Sequence, residues 1–136
     1  MIKNFDVKSV EARKFVDVGS LPNMKISNKS MVTNMTKTDD TLTVEFVFTI
    51  EYSPNVANIK IEGKLVYEDD DAEVIFSSWK NKKNEEKMQK IQVPIVRRCL
   101  VKSVILANEI NIAPPIPLPS VKKNKKEKKD YGHMFG

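Results

Sequence analysis

TLTVEFVFTIEYSPNVANIKIEGKLVY, residues 41–67, decides how the rest of the chain must be read. Leu42, Val44, Phe46, Phe48, Ile50 and Tyr52 fall on alternate positions, with Thr41, Thr43, Glu45, Thr49 and Glu51 between them and Val47 as the one apolar exception. After Pro54-Asn55 the alternation resumes: Ala57, Ile59, Ile61, Leu65 and Tyr67 against Asn58, Lys60, Glu62 and Lys64. Side chains on a strand point to opposite faces with period two, so the stretch predicts two antiparallel strands with one apolar and one wet face. Burial of the first strand's apolar set stabilises by roughly 1.5–3 kcal/mol per side chain before chain entropy is counted. A two-stranded ribbon cannot cover its own apolar face, so the remaining sequence must supply the cover.

Working outward toward the N-terminus, residues 2–15 alternate loosely through Phe5, Val7 and Ala12, with Val10 out of phase; they predict a strand with a bulge at Ser9-Val10. Gly19, Ser20 and Pro22 mark a loop over residues 16–23. Residues 24–37 form a weaker strand carrying Met24, Ile26, Met31, Val32 and Met35, whose phase shift predicts a turn or bulge near Asn28-Lys29. Asp39-Asp40 is the turn into the central ribbon.

Toward the C-terminus, Asp69-Asp70-Asp71 supplies acidic residues suited to the positive end of a helix dipole. Ala72, Ile75, Phe76 and Trp79 follow at helical spacing on one face. KNKKNEEKMQK then reads as a solvated helix end or loop, and Pro94 opens a second helix over residues 94–110. Its apolar set, from Ile95 and Val96 through Cys99, Leu100 and Val101 to Leu106 and Ala107, is wider than one sheet requires. That width predicts a second cover, another subunit or a ligand. NIAPPIPLP, residues 111–119, has four prolines and predicts an extended path.

Composition narrows the function. The chain has 136 residues and 40% hydrophobic residues, enough for one α+β domain over residues 1–119. Its net charge of +5 is concentrated in residues 120–136, where six lysines against Glu127 and Asp130 give +4 and leave +1 for the body. This lysine-rich tail predicts disorder. The sequence has no apolar run long enough for membrane insertion, and its charged first residues, without an apolar signal core, predict no export signal. A single cysteine allows no internal disulfide, and these features together predict a cytoplasmic setting.

Catalytic parts are missing from the pattern. The single histidine, His133, lies in the tail, and Cys99 sits mid-helix among apolar neighbours as an inert packed thiol. The acidic triplet lacks cation-loop spacing and reads as a helix start. Four glycines build no phosphate loop. The sequence therefore predicts no enzyme, no cofactor and no metal. Nucleic acid is expected only at the tail, by counterion release.

Element order supplies one further indication. Pro94-Ile-Val-Arg97-Arg98 opening the long helix, followed by Ile112-Ala-Pro114-Pro115-Ile-Pro-Leu-Pro119 after it, resembles the export chaperone SecB and its archaeal SecB-like relatives over residues 2–121. The resemblance implies an α+β domain, a four-stranded antiparallel sheet with two helices packed on one face. It also implies a homo-oligomer, dimer or tetramer, and ATP-independent holding of unfolded polypeptides. A peptide-binding groove would be lined by Leu21, Met24, Phe76, Trp79, Ile112, Ile116 and Leu118, and an oligomer interface would include Ile95, Cys99, Val101 and Leu106. In that family an acidic sheet surface docks an export motor. Here Glu45, Glu51 and Glu62 are mixed with Lys60 and Lys64, so delivery to a particular export machine does not follow. The rival expectation is an oligomeric structural adaptor whose basic tail docks on RNA or the ribosome.

Overall fold

A computed structural model describes residues 1–17, 23–83 and 86–115. Four strands, β1 (Ile2–Lys14), β2 (Lys25–Thr38), β3 (Thr41–Ser53) and β4 (Ala57–Glu68), precede α1 (Ala72–Lys80), a 3-10 turn (Glu86–Met88) and α2 (Gln89–Glu109). The strands form one antiparallel sheet in the order β1-β4-β3-β2, which places the ribbon of residues 41–67 in the centre. The turns predicted at Asp39-Asp40 and Pro54-Asn55 are present, with Asp39 and Asn55 in the left-handed region at φ 55 and 50, which Asp and Asn tolerate better than most residues.

Register explains the core. Leu42 pairs with Tyr67, Val44 with Leu65, Phe48 with Ile61 and Ile50 with Ile59, so the two apolar sets share one face. All six alternating residues of β3 are at most 1% exposed. Both helices lie against this face: Ala72, Ile75, Ile91, Ile95, Cys99 and Ala107 join the same buried cluster. The architecture is therefore a sheet layered with two helices on one side.

At one point the sheet allows no side chain. Gly63 pairs with Phe46, and a Cβ on Gly63 would stand 2.6 Å from both the Asp6 carbonyl oxygen and the Phe46 ring. The glycine lets β1 and the aromatic ring approach together. The Phe46 ring then packs against Phe5 at 5.1 Å between centroids, and the Arg98 guanidinium of α2 lies 4.8 Å above Phe5.

Three local expectations require correction. The bulge of β1 falls between Val7 and Ser9, opposite Gly63 and Glu62, rather than at Ser9-Val10, and a second irregularity lies between Ile2 and Asn4. β2 runs unbroken past Asn28-Lys29 and shifts register between Val32 and Asn34 instead. Its inward set is Ile26, Ser30 and Val32 before the shift and Met35 after it, while Met31 points outward at 45% exposure. Finally, α2 begins at Gln89 and carries Pro94 inside it. Ile91 is fully buried one turn before Ile95, and that burial holds the first turns in helical form although Pro94 donates no backbone hydrogen bond. The tail of residues 120–136 lies outside the described residues.

Candidate functional site

α1 starts from a charge-paired junction. Asp71 precedes it, yet its side chain caps no helix N–H. Instead the Tyr67 hydroxyl donates to Asp71 Oδ1 at 2.8 Å, and the Lys90 ammonium donates to Oδ2 at 2.7 Å. Burial works against ionisation of Asp71, but these two hydrogen bonds outweigh it and hold its pKa below the ordinary value. Burial, then the bond to Asp71, pushes the Tyr67 hydroxyl upward. The junction links the end of β4, the start of α1 and the first turn of α2. The carboxylates of Asp69, Asp70 and Asp71 approach within 4.8 Å of one another, but Asp71 is already committed to Tyr67 and Lys90.

The other end of α1 builds a cleft. Ala72 and Ile75 are wholly buried. Phe76 and Trp79 follow at the rim, half-buried, with ring centroids 6.4 Å apart. Ser78 is buried, and its hydroxyl donates to the Lys83 carbonyl at 2.9 Å while the Lys83 amide donates to the Ser78 carbonyl at 2.9 Å. The Lys82 amide donates to the Trp79 carbonyl, and Lys82 itself takes φ 54. These bonds fold the chain back after α1 and fix the backbone of Lys82 and Lys83. Between this corner, the 3-10 turn and β2 opens a cleft of about 820 Å³, lined by Met31, Val32, Ser78, Trp79, Lys80, Lys82, Lys83 and Met88. β2, which contributes Met31 and Val32 to the cleft, is an edge strand whose outer backbone groups have no neighbouring strand among the described residues.

A second cleft lies at the far end of α2. The helix stops in a Schellman arrangement: Asn111 is left-handed at φ 57, its amide donates to the Asn108 carbonyl, and the Ile112 amide donates to the Ala107 carbonyl at 3.0 Å. Ile112 is tucked beside Ala107 at 7% exposure, and the Tyr52 hydroxyl donates to the Ala113 carbonyl at 2.6 Å. Burial pushes the Tyr52 hydroxyl up to about 12, so it remains a neutral donor. Val104, Ile105, Asn108, Ile112 and Pro114 line a cleft of about 350 Å³ at this end.

The structure divides the predicted groove residues between two stations. Phe76 and Trp79 belong to the corner after α1. Ile112 belongs to the far end, where Met24 precedes the pairing of Lys25 with Ser53. Met24, just before β2, and Met31 within it are separated by roughly 23 Å of extended chain. Leu21, Ile116 and Leu118 lie outside the described residues. Of the interface residues, Ile95 and Cys99 are wholly buried by the chain's own sheet and have no surface to offer a second copy. Leu106 is half-buried, and Val101 is 61% exposed. Ile105, part of the apolar stripe read from the sequence, and Val93, which lay outside it, are exposed on that same outward side. Burial raises the Cys99 thiol to about 11, which leaves it without thiolate character near neutrality.

Neither a family model nor a curated protein matches the sequence. Among solved structures, the chain is similar to the Rv1957 SecB-like chaperone of Mycobacterium tuberculosis, in complex with a ChAD peptide from the Rv1956 HigA1 antitoxin. The TM-score is 0.62, covering 88% of this chain and 90% of that one, at 10% sequence identity. The fold is SecB-like. A SecB-like arrangement of sheet and helices is thus reached with little shared sequence. No helix among the described residues is long and apolar enough to cross a membrane.

Proposed function

We propose that this chain is an ATP-independent holdase that binds unfolded polypeptide in apolar clefts and works as a homo-oligomer. The observation that carries the reading is apolar surface left open on a SecB-like fold. Met31 and Val101 are 45% and 61% exposed, and the Trp79 cleft stands beside an unpaired strand edge. An extended peptide adds to such an edge through its backbone and places alternate side chains in apolar pockets. Methionines at Met31 and Met88 adapt to many side-chain shapes. The solved SecB-like chaperone was captured with a peptide, which supports polypeptide as the ligand class here. The outward side of α2, with Val93, Val101 and Ile105, is the surface for a second copy.

The test is suppression of aggregation. Purified protein should slow light scattering by a chemically denatured reporter protein at near-stoichiometric ratios and without nucleotide. A folded sample that gives no protection at any ratio refutes the reading. Deleting residues 120–136 should leave protection intact, whereas a chain that protects no reporter but loses a salt-sensitive RNA interaction on this deletion supports the adaptor alternative.

A further inference from the structure

We infer that the corner after α1 selects client segments in which an apolar residue is flanked by carboxylates, so that acidic rather than basic unfolded stretches are held best. The inference rests on the holdase reading and adds a charge preference to it. Its basis is the asymmetry of the cleft. The floor is apolar, built from Val32, Trp79 and Met88, while the rim carries Lys80, Lys82 and Lys83, and among the described residues no acidic side chain lines it. Among the described residues none of these three lysines has a carboxylate partner, whereas Lys37 of β2 and Lys90 of α2 are paired with Glu73 and Asp71.

The rim is also fixed in place. Ser78 spends a buried hydroxyl on the Lys83 carbonyl, and the Lys83 and Lys82 amides return to Ser78 and Trp79. Lys80 lies 5.5 Å from the centroid of the Phe76 ring. Charges on a backbone held this way lose less freedom on meeting an anion than charges on a loose loop. Like-charged neighbours left unpaired around an apolar floor favour an occupant that brings negative charge beside an apolar side chain. The adjoining edge of β2 offers backbone groups that an extended polypeptide can pair with. Among the described residues Trp79 is the one aromatic side chain lining the cleft, which gives no series of stacking platforms for successive bases.

The experiment uses the full chain and three fluorescent peptides with the same central Leu and Phe, flanked by Glu, Gln or Lys, read by anisotropy. At low salt the Glu peptide should bind about fivefold more tightly than the Gln peptide, the gain of a few surface ion pairs, and the Lys peptide most weakly. The Glu advantage should shrink toward none in high salt as the charges are screened. In a folded Lys82→Gln/Lys83→Gln variant the ratio between the Glu and Gln peptides should fall to within about twofold. Equal affinities for the Glu and Gln peptides in the unaltered chain, with aggregation still suppressed, overturn the charge preference and leave the holdase reading standing. No binding by any peptide, with no suppression of aggregation, removes both. Displacement of the Glu peptide by a single-stranded oligonucleotide, lost in the double variant, overturns it in favour of nucleic acid.

Discussion

Both sides of α2 carry apolar side chains, and these meet opposite fates. Ile91, Ile95, Cys99, Ser103 and Ala107 step along the helix four residues at a time and are completely buried. Toward the end this row uses small side chains, and its one hydroxyl is satisfied locally, Ser103 donating to the Cys99 carbonyl at 2.7 Å. Val101 lies about 200° around the helix from Cys99, and with Ile105 it stands about 60% exposed. Hydrophobicity alone therefore does not decide what an α2 residue does. Position relative to the sheet does, and Val93, Val101 and Ile105 stand on a side of α2 that the described residues leave exposed.

Three experiments press on that contrast. Ile95→Ala should have the largest effect, a loss of about 2–5 kcal/mol in urea-induced unfolding, because a filled site in a close-packed core becomes a cavity. Val101→Ala, measured the same way in dilute solution, should change little; equal losses at the two sites would erase the distinction between the rows. Asp71→Ala comes next, at about 1–3 kcal/mol, since it strands the Tyr67 hydroxyl and frees Lys90. It asks whether packing alone holds the buried row or whether the junction at its first turn contributes. The pH dependence has a defined sign. The pKa of Asp71 is depressed below 3.8 in the folded chain, so its contribution is complete above the unfolded value and disappears as pH falls through the folded one. The unaltered protein should lose stability in that acid range more steeply than the Asp71→Ala variant, as thermal melts across pH would record. The smallest change in fold stability, within about 0.5 kcal/mol, is expected for Val101→Lys with Ile105→Lys. The same pair should nevertheless lower the molar mass seen by light scattering, and an unchanged mass would remove this row from any contact between copies.

The sheet was legible because period-two alternation leaves little freedom. A one-residue slip would turn Leu42 through Tyr52 out to water, so those residues fix both the face and the pairing. The bulges were legible only approximately. Met31 looks like an inward residue in the sequence, and taking it so displaced the expected break in β2 toward Asn28, whereas the true shift falls just before Met35. The early start of α2 was written in Met88, Ile91 and Ile95 at helical spacing, a signal that Pro94 obscured. Trp79 and Phe76 could be found from helical spacing as well. The lysine rim could not: KNKK has the composition of a solvated loop, and only the hydrogen bonds made by Ser78 turn it toward the cleft. Buried polar contacts between residues five apart leave no periodic trace.

Gly63 has a consequence for how the sheet keeps its alignment. The site admits the Phe46 ring from one neighbouring strand and the Asp6 carbonyl from the other, at separations that no side chain on that residue could share. Three strands are thereby keyed at a single point, as a notch in a shaft holds two gears to one phase. Hydrogen bonds along a ladder can be remade after a shift of two, but a ring that fits only one gap cannot. The alignment of the apolar face, and with it every contact the helices make, is indexed by a missing methyl group.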